Sequence, residues 1–504
     1  VDSGVEVCFA NPGTSEMQLV AAIDQQPGMR VILGLFEGVV TGAADGYGRM
    51  AGKPAATLLH LGPGLANGLA NLHNAKRART PIVNIVGDHA VDHLKYNAPL
   101  TSDIVGVATP MSDWVRTTSS PSDLAAAGAE AVAVSLEPPG QIATVIAPGD
   151  HAWTDGADVA TPIAPSSAKQ VDDDDIDRAV KLLRESGASA LFLGGGALRE
   201  DTLEQAGRIA AATGARLICE TFPARMQRGS GRVPVQRLPY FGDRAAQILE
   251  DLEQVVFVGA KPPVAFFAYP GKKGWLLPEN TKYFELADAH VDIRDALQRL
   301  ADALNAPAKP AERQLPAVPE VEEGQLTRKA VGGIVAGLIP ENAIVSDEAG
   351  MGGGAVYLSS VGSPKHDWMV LTGGAIGQGL PLAVGAAVAC PNRKVLSLQA
   401  DGSGMYTVQA LWTMARERLD VTVVIMNNGS YQILNDELRN VGVTNPGPKA
   451  LSLLDLTSPA LDWVSISEGM GVPAIRVETT HELRDALADA IAENGPRLVE
   501  VIVS

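Results

Sequence analysis

Short runs of β-branched and other apolar residues alternate with longer helical patterns along the chain, and this alternation constrains the fold more than any other feature. Strands that alternate with helices predict parallel sheets covered by helices on both faces. We therefore predict an α/β fold of three doubly wound parallel-sheet domains. The predicted strands are VEVCFA, RVILGL, AATLLHL, PIVNIVG and QIATVIA in the first block, ALFLGGG, RLICE, VVFVG and KYFELA in the second, and AIVSDE, WMVLTG, KVLSLQAD, VTVVIMN and RLVEVIV in the third.

Two stretches interrupt the alternation and are typical of linkers. They are TPIAPSSAKQVDDDD (161–175) and NAPAKPAERQLPAVPEVEEG (305–324). Both are rich in Pro, Ala and charged residues and lack apolar periodicity. They predict domains at 1–165, 175–305 and 325–504. The chain opens abruptly at VDSGVEV, so we expect some N-terminal residues to be missing.

Composition and charge exclude several classes of partner. The 504 residues are 46% hydrophobic and carry a formal net charge of −18, which argues against a nucleic acid or an anionic membrane as partner. No run approaches the roughly 18–20 apolar residues of a membrane helix, and no signal peptide is visible. The three cysteines, Cys8, Cys219 and Cys390, lack CxxC spacing, so we expect small core residues of a reducing cytoplasm.

Two of the predicted buried strands end in small polar residues. ADGSGMY (400–406) follows KVLSLQ, and MNNGSYQ (426–432) follows DVTVVI. Since ligands of doubly wound sheets bind beyond the carboxyl ends of the strands, Asp401 and Asn428 would meet across a crevice. Their oxygens, with a backbone carbonyl, form a partial shell for Mg²⁺, which commonly adds phosphate oxygens and water. Glycine and helix N-terminal N–H groups would face the phosphate. Either segment alone would be an ordinary turn, but the pair indicates a metal–phosphate site.

The pair resembles the GDG…NN motif of thiamine diphosphate-dependent enzymes, with Ala400 in place of the first Gly. The resemblance implies that Mg²⁺ is held by the side chains of Asp401 and Asn428 and by the backbone carbonyl of Ser430. It further implies that Gly402, Ser403, Asn428 and Tyr431 contact the cofactor. The resemblance extends over nearly the whole chain, in the order pyrimidine-binding, central and diphosphate-binding domain.

Two further segments resemble the parts of this family that hold the rest of the cofactor. Glu37 stands after an apolar strand in VILGLFEGVVTGAADGYGRMAGKPA, where the family places the carboxylate that activates the aminopyrimidine. Alone, such a residue would be a solvated helix start. In LTGGAIGQGLP (371–381), Ile376 takes the position of the apolar wedge that folds the cofactor, and the Gly374 carbonyl would accept a hydrogen bond from the aminopyrimidine. Without the family match, Ile376 would be a plain core residue.

The substrate-side residues match no single branch of the family. Thr14 and Ser15 in CFANPGTSEMQL, and His60 in LLHLGPGLANGLANL, resemble active-site segments of benzoylformate decarboxylase. Phe266 and Phe267 stand where that enzyme has a second His, and Leu100 stands where acetolactate synthases have a Gln. The three apolar residues predict a pocket for a substrate larger than pyruvate. His89 and His93 follow a strand and could substitute for the missing groups, or be surface residues.

The resemblance favours an acetolactate synthase-like enzyme that decarboxylates a 2-oxo acid and ligates the product to a second carbonyl. The alternative is a non-oxidative decarboxylase of the benzoylformate decarboxylase type, which releases an aldehyde. A catalytically silent regulatory homologue and a nicotinamide or flavin oxidoreductase are the alternatives from other classes. FAD is not expected, because ALFLGGGALRE lacks the full dinucleotide spacing. The family implies a homodimer or homotetramer with the active site between subunits, a small 2-oxo acid as substrate and a cytoplasmic location.

Overall fold

The computed structural model describes residues 1–156 and 158–503, which form three α/β units around three sheets. The N-terminal unit has a six-stranded parallel sheet in the order β2-β1-β3-β4-β6-β5. Its strands are β1 (Val7–Asn11), β2 (Arg30–Leu33), β3 (Ala55–Leu59), β4 (Ile82–Asp88), β5 (Trp114–Thr117) and β6 (Ile142–Pro148). Its helices are α1 (Met17–Asp24), α2 (Glu37–Ala51), α3 (Leu61–Ala78), α4 (Ile104–Ala108), α5 (Asp123–Ser135) and α6 (Gly149–Trp153).

The central unit has a five-stranded parallel sheet. Its strands are β7 (Ser189–Leu193), β8 (Arg216–Cys219), β10 (Gln236–Arg237), β11 (Gln254–Val258) and β12 (Lys282–Ala287), in the order β10-β8-β7-β11-β12. Its helices are α7 (Asp173–Leu183), α8 (Glu200–Thr213), α9 (Gly242–Leu249) and α10 (Ile293–Ala303). One further strand of this segment, β9 (Met226–Arg228), leaves the central sheet and joins the C-terminal one.

The C-terminal unit has a seven-stranded sheet in the order β17-β18-β16-β15-β13-β14-β9. Its own strands are β13 (Ile344–Glu348), β14 (His366–Val370), β15 (Val395–Ala400), β16 (Val421–Asn427), β17 (Ala474–Val477) and β18 (Arg497–Ile502). Its helices are α11 (Arg328–Leu338), α12 (Met351–Ser359), α13 (Gly379–Ala389), α14 (Asp401–Gly404), α15 (Ala410–Glu417), α16 (Gln432–Asn440), α17 (Pro448–Ser452), α18 (Trp463–Gly469) and α19 (Thr480–Ala492).

The predicted strands all form, and the four strands that the sequence pattern missed lie at sheet edges. β5, β9, β10 and β17 are two to four residues long, and each carries an arginine. Edge strands are short and polar because one side of the backbone stays unpaired, so they lack the apolar run of a central strand. β9 pairs antiparallel with β14, which the alternation of strands and helices did not predict.

Helices α2 and α13 hold the N-terminal and C-terminal units together. Gly46 lies where a Cβ would come within 2.1 Å of the Leu382 carbonyl oxygen, and Gly385 where a Cβ would come within 1.9 Å of the Ala43 carbonyl oxygen. The two helix backbones therefore touch, and only glycine allows this separation. Apolar side chains of both units close into one core around this contact.

Candidate active site

Each terminal sheet reverses its winding direction at one point, and the polar residues picked out in the sequence follow the strands at these points. In the N-terminal sheet the reversal lies between β1 and β3, and in the C-terminal sheet between β13 and β15. Loops that leave the carboxyl ends of such strands diverge and form a crevice. His60 follows β3, and Asp401 follows β15.

The carboxylate of Asp401 joins the loops that follow β15 and β16. Its Oδ2 accepts a hydrogen bond from the Gly429 N–H at 2.8 Å, and its Oδ1 accepts one from the Gly402 N–H at 2.9 Å. Asp401 is only 2% exposed, and burial raises the pKa of its carboxyl while these N–H donors lower it. The two amides therefore hold the carboxylate in place, although we expected the glycine N–H groups to face a phosphate.

The other predicted metal ligands lie in the same turn. The Asn428 side chain is exposed and accepts a hydrogen bond from the Ser430 N–H at 3.1 Å. Ser403 is buried, and its hydroxyl donates to the backbone carbonyls of Glu348 and Ala400. Among residues 1–156 and 158–503, no group of three or more His, Cys, Asp or Glu side chains could hold a metal alone. A cation here would need oxygens from a bound ligand, as Mg²⁺ commonly does with phosphate. The ring of Tyr431 lies over Gly402, and a Cβ on Gly402 would be 2.4 Å from Cε1 of that ring.

The loop before α13 presents a backbone carbonyl and an aliphatic side chain. Gly374 has a positive φ of +77°, and its carbonyl receives no hydrogen bond within the described chain. Ile376 is partly exposed and belongs to none of the apolar cores, so it is not the plain core residue of the alternative interpretation. Asn74 fixes the loop by exchanging two hydrogen bonds with the Ala375 backbone, and Asn71 donates to the Gly377 carbonyl.

A buried glutamate that the sequence analysis missed anchors the same loop from the other side. Glu348, the last residue of β13, accepts hydrogen bonds from the N–H groups of Gly377, Gln378 and Gly379 at 2.7, 3.2 and 2.7 Å. Burial raises the pKa of Glu348 to about 7, against the opposing effect of these three donors. No motif pointed to this residue, because its partners begin 29 positions further along the chain.

Glu37 and His60 flank Gly64 near the start of α3. Glu37 is 7% exposed, and its Oε2 accepts a hydrogen bond from Asn67 Nδ2 at 3.0 Å. A Cβ on Gly64 would lie 3.3 Å from Glu37 Oε1 and 3.4 Å from the His60 Cβ. Leu61, next to His60, is buried with a left-handed φ of +49°, a strained conformation for a leucine. Both Glu37 and His60 therefore pack against Gly64 at the start of α3.

A second glutamate that the sequence analysis missed orients His60. His60 Nδ1 lies 2.8 Å from Glu16 Oε2, which also accepts the Gly13 N–H at 2.7 Å. Ser15 Oγ donates to Glu16 Oε1 at 2.8 Å and lies 3.4 Å from His60 Nδ1. Glu16 is fully buried, whereas the His60 side chain is 24% exposed, so the ring is held at Nδ1 while the side chain stays partly accessible. The signal in the sequence was the acid that follows Thr14 and Ser15 in NPGTSE.

The remaining predicted residues line the approaches to these groups. Thr14 is exposed at the start of a 3-10 helix, and Leu100 is 39% exposed. The Ser102 hydroxyl packs against Gly62. The loop that carries Leu100 and Ser102 therefore runs beside the turn of His60. Phe266 contacts Gly374, with its Cζ 2.6 Å from the position of a Cβ there. Phe267 packs on Phe266, with ring centroids 4.7 Å apart.

The two histidines that follow β4 lie against each other at the surface of the N-terminal unit. Their ring centroids are 5.4 Å apart, and His93 is exposed. His89 Nε2 is buried without a hydrogen-bond partner in the described chain. Within residues 1–156 and 158–503, no hydrogen bond or ring contact joins this pair to His60, and their predicted role as substitutes stays a prediction.

Comparison with known proteins identifies the family to which this fold and these loops belong. Residues 1–107 match the N-terminal TPP binding domain of thiamine pyrophosphate enzymes, and residues 353–501 match the C-terminal TPP binding domain. The chain belongs to the thiamine pyrophosphate enzyme family. It is therefore a thiamine pyrophosphate-dependent enzyme of the acetolactate synthase and benzoylformate decarboxylase superfamily, as its motifs predicted.

Relatives of this thiamine pyrophosphate enzyme match it over nearly their full length. A Mycobacterium tuberculosis protein, provisionally named acetolactate synthase large subunit IlvX, is 52% identical over 505 residues, which cover 100% of this chain and 97% of the relative. The Pseudomonas aeruginosa benzoylformate decarboxylase is 28% identical over 528 residues, covering 99% and 96%. The structure of a Rhodococcus jostii RHA1 thiamine diphosphate-dependent 4-hydroxybenzoylformate decarboxylase superposes with a TM-score of 0.87 at 25% identity, covering 100% and 97%.

The residues present in this thiamine pyrophosphate enzyme fit the cofactor of its family. The Gly374 carbonyl has no partner in the described chain, Ile376 is partly exposed beside it, and a buried carboxylate lies at the loops after β15 and β16.

No helix within residues 1–156 and 158–503 combines the length and the apolar character that a bilayer span requires.

Proposed function

We propose that this enzyme decarboxylates a bulky 2-oxo acid with thiamine diphosphate and Mg²⁺ and releases an aldehyde. The observation that carries the proposal is that Glu37 and His60 both pack against Gly64, with His60 held by the buried Glu16. The C–C bond between the carboxylate carbon and the 2-oxo carbon breaks, CO₂ leaves, and a proton takes its place on that carbon.

The cofactor would be held by the residues that its chemistry requires. Asp401, Asn428 and the Ser430 carbonyl would bind Mg²⁺, and Glu37 and the Gly374 carbonyl would hydrogen bond the aminopyrimidine, with Ile376 beneath the ring. Gly402, Ser403 and Tyr431 would contact the diphosphate side. When bound, thiamine diphosphate supplies the electron sink for decarboxylation, whereas the protein supplies orientation and electrostatics.

The contribution of the chain to proton transfer comes from His60. Because Nδ1 is engaged by the buried Glu16 carboxylate, Nδ1 carries a proton and Nε2 is the atom that can exchange one with the substrate. In this role, Nε2 of His60 delivers the proton that the decarboxylated carbon takes up. Ser15 supports the same carboxylate through its hydroxyl.

We further propose a homodimer or homotetramer with the active site between subunits, as the family resemblance implies. In each copy, Asn67 holds the Glu37 carboxylate and Asn74 holds the Gly374 loop. In the proposed assembly, Glu37 of one copy would face the Gly374 loop of another. The three free cysteines suit a cytoplasmic enzyme.

A second candidate function is carboligation of the acetolactate synthase type, in which a second carbonyl compound takes the place of the proton. It is favoured by the 52% identity to the M. tuberculosis protein with that provisional name. Against it, Leu100 stands where the glutamine of acetolactate synthases would be. The two functions differ in product, an aldehyde in one and a hydroxyketone or acetohydroxy acid in the other.

Calorimetric titration with thiamine diphosphate, with and without Mg²⁺, tests the cofactor. We expect Mg²⁺-dependent binding that is lost in Asp401→Ala and kept in the surface variant Asp485→Asn. Product analysis with pyruvate and with benzoylformate, each alone and with an acceptor aldehyde, then tests the reaction. Formation of an aldehyde from benzoylformate supports the proposal. Turnover of pyruvate without any turnover of benzoylformate contradicts it.

A further inference from the structure

Four aromatic rings, two of them exposed and two half-buried, form a wall beside the Gly374 loop. We define this aromatic wall as Phe222, Tyr240, Phe266 and Phe267. The ring centroid of Phe266 lies 5.3 Å from that of Phe222, 5.5 Å from that of Tyr240 and 4.7 Å from that of Phe267. Phe266 is 41% exposed and Phe267 53% exposed. An apolar surface of this kind, adjacent to a ligand crevice, suits the flat side chain of an aromatic ligand.

One carboxylate interrupts the apolar character of the wall. Glu437 Oε2 accepts a hydrogen bond from the Tyr269 hydroxyl at 2.6 Å, and Oε1 lies 3.5 Å from the Tyr240 hydroxyl. Burial and the neighbouring Glu437 raise the pKa of Tyr240 to about 12, and the same two causes raise the pKa of Tyr269. Both phenols therefore stay protonated and donate to the carboxylate.

The charge of Glu437 is not neutralised by the described part of the chain. No Lys, Arg or His nitrogen lies within 4 Å of it, whereas its neighbour Asp436 pairs with Arg439 at 2.8 Å. The two neutral phenols and the Asn440 amide, whose Nδ2 donates to Oε2 at 3.5 Å, stabilise the anion but leave its charge in place. Each carboxylate oxygen keeps further lone pairs, so a ligand can still donate a hydrogen bond to it.

The carboxylate and the wall lie at the crevice of the proposed active site. Phe266 packs against Gly374, and Tyr240 links Phe266 to Glu437. Glu437 itself belongs to α16, the helix that begins directly after the turn of Asn428 and Tyr431. A substrate whose reacting carbon lies in the crevice would therefore extend its side chain along the wall toward Glu437.

We propose that Glu437, held by Tyr240 and Tyr269, selects aromatic 2-oxo acids that carry a hydrogen-bond donor at the far end of the ring and rejects those that carry a second anion there. This inference rests on the proposed function and specifies its substrate class. A neutral phenol or amine would donate to Glu437, whereas a carboxylate would be repelled and would lose its hydration without a partner.

The test compares three substrates that differ only at the para position. They are benzoylformate, 4-hydroxybenzoylformate and 4-carboxybenzoylformate, and kcat/KM is measured for each. Because hydrogen bonds to charged groups discriminate by about ten- to a hundredfold, the wild type should prefer the hydroxy compound over benzoylformate by about tenfold. The carboxy compound should be at least about tenfold worse than benzoylformate.

The variant Glu437→Gln removes the charge and keeps an oxygen for the tyrosines. We expect the preference for the hydroxy compound and the rejection of the carboxy compound each to shrink by about tenfold. Asp436→Asn is the matched control, because it removes the same charge from the adjacent position of the same helix, and its substrate ratios should equal those of the wild type. Thiamine diphosphate affinity, measured by calorimetry, should be the same in all three proteins.

The outcomes separate this inference from the proposed function. Substrate ratios that are unchanged in Glu437→Gln, or that change equally in Asp436→Asn, overturn the inference while decarboxylation itself stands. Turnover restricted to short aliphatic 2-oxo acids overturns it as well. Failure of the wild type to bind thiamine diphosphate overturns the proposed function, and this inference with it.

Discussion

His60 Nδ1 and Glu16 Oε2 lie 2.8 Å apart, and the carboxylate is fully buried. An ionic hydrogen bond of this kind fixes both the tautomer and the orientation of an imidazole, so that one ring nitrogen is held and the other is free to react. Gly87 makes room for the pair, since a Cβ there would lie 1.7 Å from Glu16 Oε1. In the proposed function, where His60 transfers the proton, Glu16 is therefore a positioning residue.

The variant Glu16→Gln should lower kcat by about tenfold or more while thiamine diphosphate affinity changes little, because the His60 ring loses the carboxylate that orients it. KM should change less than kcat, since Glu16 acts through His60 and does not contact the substrate. Steady-state kinetics and calorimetry of thiamine diphosphate binding check these effects. Ser15→Ala is the matched control and should show a smaller change. A loss of kcat accompanied by an equal loss of cofactor affinity would show that Glu16 is merely structural.

The variant Glu37→Gln should retain cofactor binding and lose at least about a hundredfold in kcat, because an amide accepts a hydrogen bond but cannot hold the aminopyrimidine proton as a carboxylate does. Calorimetry of thiamine diphosphate binding and single-turnover kinetics with benzoylformate separate the two effects. Glu6→Gln, at an exposed carboxylate that pairs with Lys53, should behave as wild type. Full activity in Glu37→Gln would contradict the assigned role.

The sequence predicted the central strands and the residues that follow them, but not the partners that hold those residues. Strands buried on both faces are continuous apolar runs, which made the central strands recognisable, whereas the edge strands β5, β9, β10 and β17 were too short and polar. The residues at strand ends, such as Asp401 and Glu37, could be recognised from the residue types around them.

The contacts of the supporting carboxylates could not be predicted, because they join distant parts of the chain. His60 is 44 residues from Glu16, and Tyr269 is 168 residues from Glu437. A glutamate alone in a sequence is typical of a solvated surface, and only the packing of loops from several strands shows that it is buried or what it contacts.

The variant Arg49→Met should lower the free energy of unfolding by about 3–5 kcal/mol, because it leaves a buried carboxylate without its partner. Arg49 and Asp45 form a bidentate salt bridge, in which Arg49 Nε donates to Asp45 Oδ1 at 2.8 Å and Nη2 donates to Oδ2 at 2.7 Å. Their side chains are 2% and 0% exposed. Gln378 donates to Asp45 and Arg49 donates to the Val370 carbonyl, so the pair also joins the N-terminal unit to the loop before α13.

Chemical denaturation measures this loss, and a double variant tests its cause. Arg49→Met with Asp45→Leu removes both charges and should recover part of the stability, since the cost lies in the unpaired carboxylate. If the double variant is less stable than Arg49→Met by as much as Asp45→Leu alone destabilises the wild type, the two effects are additive. Additivity would contradict this explanation.

The pH dependence of stability should contain a component from His366. Burial lowers the pKa of His366 to about 4 from an ordinary value of 6.5, and the positive charge of the nearby Arg228 acts in the same direction. Below pH 6.5 the unfolded chain binds a proton at this residue and the folded chain does not, so protein stability falls as the pH drops from about 6.5 to about 4.

The variant His366→Asn tests this component. Its amide keeps a donor for the Pro364 carbonyl, to which His366 Nδ1 is bonded at 2.7 Å. Because its side chain does not titrate, the variant should lose less stability than wild type between pH 6.5 and pH 5 in denaturation experiments. Equal slopes for His366→Asn and wild type would show that His366 titrates in the folded protein as it does in the unfolded chain.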